Sequence, residues 1–186
     1  MRLKRMRCVA ISGKMCTGKS TLLKILQSKE PLFTRVSLAD PVKDVAWNYF
    51  MMPKGEKDRK LLQQIGQRFR SIRASVWIDI LHHKGNLMLT KGEFPICDDV
   101  RFPNELESMR DKNWVLVRLT LPEEEQLNRI KRTYGNGWEG HWVNRNEESE
   151  TSLDNIGDNE FNFVFENMDF EELNRLADDI ISVASQ

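Results

Sequence analysis

Short apolar runs recur along the chain at residues 6–12, 35–39, 94–98, 114–119 and 162–165, each ending near a Gly, Asp, Thr or Asn. Runs of that length bounded by turn residues predict buried β-strands. Between them the apolar spacing changes to three and four. Leu61, Ile65 and Phe69 form one stripe, Leu127 and Ile130 a second, and Leu173, Leu176, Ile180 and Val183 a third on a closing helix over residues 171–185. Pro122 followed by Glu123, Glu124 and Glu125 reads as a helix start, with Arg129, Lys131 and Arg132 toward its end, where cations suit the helix dipole. Trp77 falls at helical spacing with Ala74 and Leu81 and is assigned to the core. The connections are long enough for crossover helices, which parallel strands require. The pattern therefore predicts a three-layer α/β fold: a five-stranded parallel sheet with helices on both faces. One segment breaks the pattern. Gly135, Asn136, Gly137 and Gly140 suggest a long, flexible connection between Tyr134 and Thr151, and such a connection inside a compact domain is usually functional.

The 186 residues suit a single domain over residues 1–186, with no repeat or linker in sight. Lys plus Arg and Asp plus Glu each number 28, a balance that argues against a nucleic-acid binder. The charge is nevertheless segregated: residues 1–43 carry ten basic and two acidic residues, whereas residues 146–186 carry twelve acidic residues and only Arg175. Three cysteines without C-x-x-C spacing give neither a disulfide framework nor a zinc site and favour a reducing compartment. With no apolar run long enough for a signal or a span, the expectation is a cytoplasmic protein that does not engage a membrane.

Candidate chemistry concentrates in Gly13–Lys14–Met15–Cys16–Thr17–Gly18–Lys19–Ser20. A strand enters this run and a helix leaves it, the context of a phosphate-binding loop. Glycines let backbone N–H groups turn toward phosphate oxygens at the helix N-terminus. Gly13, Lys14, Thr17, Gly18, Lys19, Ser20 and Thr21 are thus expected to bind ATP, with Lys19 on the β- and γ-phosphates and Ser20 on Mg²⁺. The strand at 94–98 ends in Asp98 and Asp99. One of the two must reach the metal, so this strand is expected beside the first.

The residues after it, Asp99–Val100–Arg101–Phe102–Pro103–Asn104–Glu105, resemble the signature of phage-type deoxynucleoside monophosphate kinases. Leu38–Ala39–Asp40–Pro41–Val42–Lys43, Leu62–Gln63–Gln64–Ile65–Gly66 with Arg68, Leu153–Asp154–Asn155 and Phe163–Val164–Phe165–Glu166–Asn167 are similar to other motifs of that group, which includes the animal-type phosphomevalonate kinases. The resemblance implies a kinase of the P-loop, nucleoside monophosphate kinase-like fold that uses ATP and Mg²⁺. It implies Asp99 as the metal-holding acid and Arg101 as a phosphate or acceptor contact. It also implies that Asp40, Lys43, Gln64 and Arg68 line the acceptor pocket. Arg129 and Arg132 resemble catalytic arginines on a lid spanning about residues 128–151. The implied activity is γ-phosphoryl transfer to a deoxynucleoside monophosphate. A phosphomevalonate-like acceptor, modified bases in DNA, and a nucleotide-dependent switch or assembly ATPase are the alternatives. The expected partners are small nucleotides, and a homodimer is compatible with the pattern.

Overall fold

A computed structural model describes residues 6–56 and 58–186. The strands are β1 (Val9–Ser12), β2 (Phe33–Arg35), β3 (Phe94–Val100), β4 (Val115–Thr120) and β5 (Phe163–Glu166). They form one parallel sheet in the order β2-β3-β1-β4-β5, so β3 lies beside β1 as the chemistry required. Helices α1 (Lys19–Lys29), α2 (Ala39–Tyr49), α3 (Arg59–Ile72), α4 (Val76–Thr90), α5 (Pro103–Asp111) and α6 (Glu123–Tyr134) come between strands. They are joined by the short α7 (Trp138–Asn144) and α8 (Glu148–Thr151) and by the closing α9 (Phe170–Ala184).

Alternation along the strands builds two cores. Val9 and Ile11 of β1, Ile96 of β3 and Val115, Val117 and Leu119 of β4 face one side, with Leu22 and Leu26 of α1 and Leu173, Leu176 and Ile180 of α9. Cys8, Ala10, Cys97, Trp114 and Leu116 face the other, with Val42, Ala46, Ile65, Trp77, Leu81 and Leu106 from α2 to α5. Burial of each large aliphatic side chain contributes about 1.5–3 kcal/mol. Trp77 is 2% exposed and stacks on Phe69, a core residue as its spacing predicted. No helix among the described residues is long and apolar enough to cross a membrane.

Two expectations need correction. The second strand ends at Arg35, and the residues expected to continue it to 39 instead turn into α2. The Asp99 carboxylate accepts the N–H groups of Leu38 (3.1 Å) and Ala39 (2.9 Å) and the Ser37 hydroxyl (2.6 Å). A charged acceptor that takes three donors from one turn outweighs extension of the ladder. The segment after Tyr134 is also not an irregular loop. Ring contacts order it into short helices: Tyr134 stacks on His141 at 3.5 Å, Lys131 lies over Trp138, and Arg145 lies over Trp142 while reaching Glu123 at 2.6 Å.

Candidate active site

The phosphate loop runs from the end of β1 to α1. Gly13 has φ 147° and Gly18 φ 100°, left-handed conformations that a side chain resists. A Cβ at Gly13 would also fall on the Leu119 carbonyl oxygen. Cys16 takes φ 63° without being glycine, a left-handed conformation that its Cβ disfavours and the loop imposes. Thr17 Oγ1 donates to the Lys14 carbonyl at 2.9 Å and ties the loop to itself. Among the described residues no side chain caps the start of α1, which leaves its first N–H groups for an anion.

Lys19 is 9% exposed and donates to the carbonyls of Gly13 (2.7 Å) and Lys14 (2.6 Å). Burial, reinforced by the nearby Arg101 charge, lowers its pKa to about 7. A phosphate would reverse that shift, because an adjacent anion favours the ammonium. Gln126, which the sequence reading passed over, donates to the Met15 carbonyl at 3.1 Å from a buried position on α6.

The two aspartates of β3 divide according to the pleat. Asp98 follows Ile96 onto the α1 side, where its carboxylate lies 3.5 Å from Ser20 Oγ and accepts from Arg35 Nε at 2.9 Å. Asp99 faces the α2 side and is occupied by the turn after β2. The acid beside Ser20 is therefore Asp98, and the placement expected for Asp99 is corrected. Arg35 was not singled out in the sequence. Burial opposes its charge, but Asp98, with Asp99 and Asp40, outweighs that effect and leaves its pKa raised. Ser20 and Asp98 offer the hard oxygen ligands that suit Mg²⁺, an ion that keeps several waters and binds phosphates besides one or two protein groups. The residues thus fit it, although the described residues hold no cluster of three or more His, Cys, Asp or Glu side chains.

A second cavity of about 560 Å³ opens between α2, α3, β3 and α8. Lys43 and Arg101 line it, as the resemblance implied. Gln64 and Arg68 do not: the α3 face turned to the cavity carries Arg59, Gln63, Gln67 and Arg70. Trp77 Nε1 donates to the Gly66 carbonyl at 3.1 Å, and this packing sets the rotation of α3 and leaves Gln64 and Arg68 exposed. Asp40 is outside the cavity lining and pairs with Lys43 (2.9 Å) and Arg35 (3.3 Å). Arg70 lies over the Phe102 ring at 4.3 Å. Glu105 also borders the cavity. Burial raises its pKa to about 7, although its carboxylate accepts the N–H groups of Arg101 and Phe102.

Arg101 joins the two halves of the site. It donates to the Gly13 carbonyl at 3.3 Å and to Glu150 at 2.7 Å. Arg129 and Arg132 both point to Glu125 (2.8 and 3.2 Å), and Arg129 also holds Asn167 and Met168. Glu125 thus engages both arginines in this conformation, while Arg129 lies near enough to the phosphate loop for its charge to act on the Cys16 thiol.

Fold and loop together define a P-loop domain with a kinase-like fold. The chain belongs to the AAA_18 family, described as an AAA domain, whose profile matches residues 9–153. Solved structures share the fold across almost the whole chain. A shikimate kinase from Acinetobacter baumannii in complex with shikimate is 16% identical with a TM-score of 0.58, covering 97% of this chain and 94% of its own. A sugar kinase from Janibacter is 18% identical with a TM-score of 0.56, covering 97% and 96%. TT1252 from Thermus thermophilus is 16% identical with a TM-score of 0.59, covering 96% and 98%. No curated protein matches the sequence.

Proposed function

We propose that the protein transfers the γ-phosphoryl group of ATP to a deoxynucleoside monophosphate. The observation that supports this most is Arg101, which touches the phosphate loop while lining a second cavity furnished with Lys43, Arg59 and Arg70. A mononucleotide presents an anionic phosphate and a base, and this cavity sets four cations beside the amides of Gln63 and Gln67. Because a phosphomonoester with a second pKa of about 6 is largely dianionic at neutral pH, its own oxygen serves as nucleophile. That oxygen forms a bond to the γ-phosphorus as the bond to the β–γ bridging oxygen breaks, and ADP leaves. The protein contributes position and charge. Lys19 and the loop N–H groups hold the donor phosphates, Arg101 stands between donor and acceptor, and Arg59 and Arg70 hold the acceptor phosphate. Ser20 and Asp98 would hold Mg²⁺, directly or through water, and the ion would neutralise phosphate charge.

The shikimate and sugar kinases among the structural neighbours make a non-nucleotide acceptor the alternative to test. Glu147 and Glu148, which line the cavity, oppose a polyanion such as DNA. A switch or assembly ATPase needs no second pocket of this kind. The deciding assay is ADP formation from ATP and Mg²⁺ with each common deoxynucleoside monophosphate, phosphomevalonate, shikimate and modified duplex DNA. The expected result is stimulation by one or more monophosphates, with Arg59→Met and Arg70→Met raising acceptor KM about tenfold or more, equivalent to roughly 1.4 kcal/mol. Stimulation by another acceptor and by no monophosphate overturns the assignment.

A further inference from the structure

One acidic segment covers both halves of the site. Glu147 accepts from Arg59 at 3.2 Å and from Gln63, Glu150 accepts from the phosphate loop and Arg101, and Asp154 accepts from Lys14 at 2.8 Å. Glu150 is the innermost. Its side chain is 5% exposed, one oxygen accepts the Met15 N–H at 2.7 Å, and the other accepts from Arg101 at 2.7 Å. Backbone N–H groups of such a loop are the donors that receive phosphate. Met15 lies on the loop four residues before the first residue of α1. Glu150 and Arg101 both line the acceptor cavity as well, the side from which a phosphoryl group leaving the loop must be reached.

We propose that the Glu150 carboxylate is seated in the subsite of the transferring phosphoryl group, and that residues 147–154 form a strap which ATP must displace. This inference rests on the reading of the loop as the ATP cradle. Carboxylate and phosphate are both anions and share the same two donors, so the two cannot occupy the subsite together. The fold of Lys19 back onto the Gly13 and Lys14 carbonyls belongs to the same closed arrangement. The strap therefore guards the nucleotide-free enzyme, and its departure returns Met15 N–H, Arg101, Lys14 and Arg59 to the substrates. Glu147 and Glu150 together couple the two pockets, because Glu147 stands at the N-terminal boundary of α8, the short helix that carries Glu150, and release of one draws on the other.

The test measures binding of a non-hydrolysable ATP analogue with Mg²⁺ and of ADP by calorimetry, in the full chain and in Glu150→Gln. Glutamine keeps the shape but offers one acceptor and no charge. Because a closed state scales the apparent Kd by the inverse of the open fraction, the variant should bind the analogue about tenfold more tightly, with a smaller gain for ADP. A purely structural Glu150 would leave affinity unchanged or weaken it, and either result overturns the proposal. Hydrogen exchange on the unmodified protein supplies a measurement that does not depend on the variant folding. The analogue should slow exchange over residues 13–21 and speed it over residues 147–154, and slower exchange over both segments overturns the strap. Absence of analogue binding by the unmodified protein would instead refute the ATP reading beneath it.

Discussion

Asp98→Asn and Asp99→Asn are expected to separate catalysis from stability. Asp99 accepts from the Leu38 and Ala39 N–H groups and the Ser37 hydroxyl. Asparagine keeps one acceptor oxygen and turns the other into a donor, which removes one or two of these bonds. Hydrogen bonds to a charged group contribute about 1.5–3 kcal/mol each, so the loss should be roughly 2–4 kcal/mol. For a chain of this size a loss of 1 kcal/mol lowers Tm by about 2–4 °C, and the expected fall is therefore roughly 5–15 °C. Asp98 is buried too, but among the described residues it accepts only from Arg35 at 2.9 Å and from Ser20 at 3.5 Å. An asparagine can keep the Arg35 bond through its one oxygen, so this replacement should cost less stability. Its effect should appear as a loss of Mg²⁺-dependent turnover of at least about tenfold, or roughly 1.4 kcal/mol of barrier. Thermal unfolding followed by circular dichroism, together with Mg²⁺ titrations of phosphoryl transfer, reads both quantities. An unchanged Tm in Asp99→Asn combined with the larger loss of Mg²⁺ response in that variant would refute this division of roles.

Lys19, with its pKa lowered to about 7 against an ordinary value of 10.5, should take up a proton when triphosphate binds. At pH 8 the uptake should approach about 0.9 proton, and affinity should fall as pH rises through 7 toward 10.5; calorimetry in buffers of different ionisation enthalpy checks it, and buffer-independent heats would contradict it. Lys19→Ala should abolish transfer and leave the fold intact, as activity and circular dichroism together will show. Gly13→Ala should destabilise the chain because its Cβ meets backbone at positive φ, whereas at Gly66 a Cβ would meet only the Arg70 guanidinium at 3.5 Å or more. Gly66→Ala should therefore gain about 0.5–1 kcal/mol from helix propensity, measurable in urea. Arg129→Ala should lower Tm more than Arg132→Ala, since Arg129 also bridges α6 to Asn167 and Met168 while the Arg132 side chain is 70% exposed.

The local chemistry of the chain was legible in its sequence. Gly13 to Ser20 announces a phosphate loop because glycine positions and a lysine at fixed spacing act through nearby backbone, and a short apolar run closed by Asp98 and Asp99 predicts β3 without reference to any distant residue. Helix starts at Pro122 and the buried stripe of α9 follow from the same short-range rules. What tertiary structure decided is which groups meet across the chain. Alternation separates Asp98 from Asp99, but only the packing of α1 on one face and α2 on the other assigns Ser20 to the first and the Leu38 turn to the second. Helical periodicity groups Gln64 with Arg68, and it equally groups Gln63 with Gln67; the contact between Trp77 and Gly66 chooses the second pair for the cavity. Arg35 and Gln126 carry no local signature, and the acid-rich segment after Asn146 reads as solvated surface until folding brings Glu150, 135 residues away in sequence, onto the Met15 N–H. Backbone periodicity is a short-range property, whereas the site is assembled where β1, β3 and β4 end side by side, and the sheet order that brings those ends together is fixed by long-range packing.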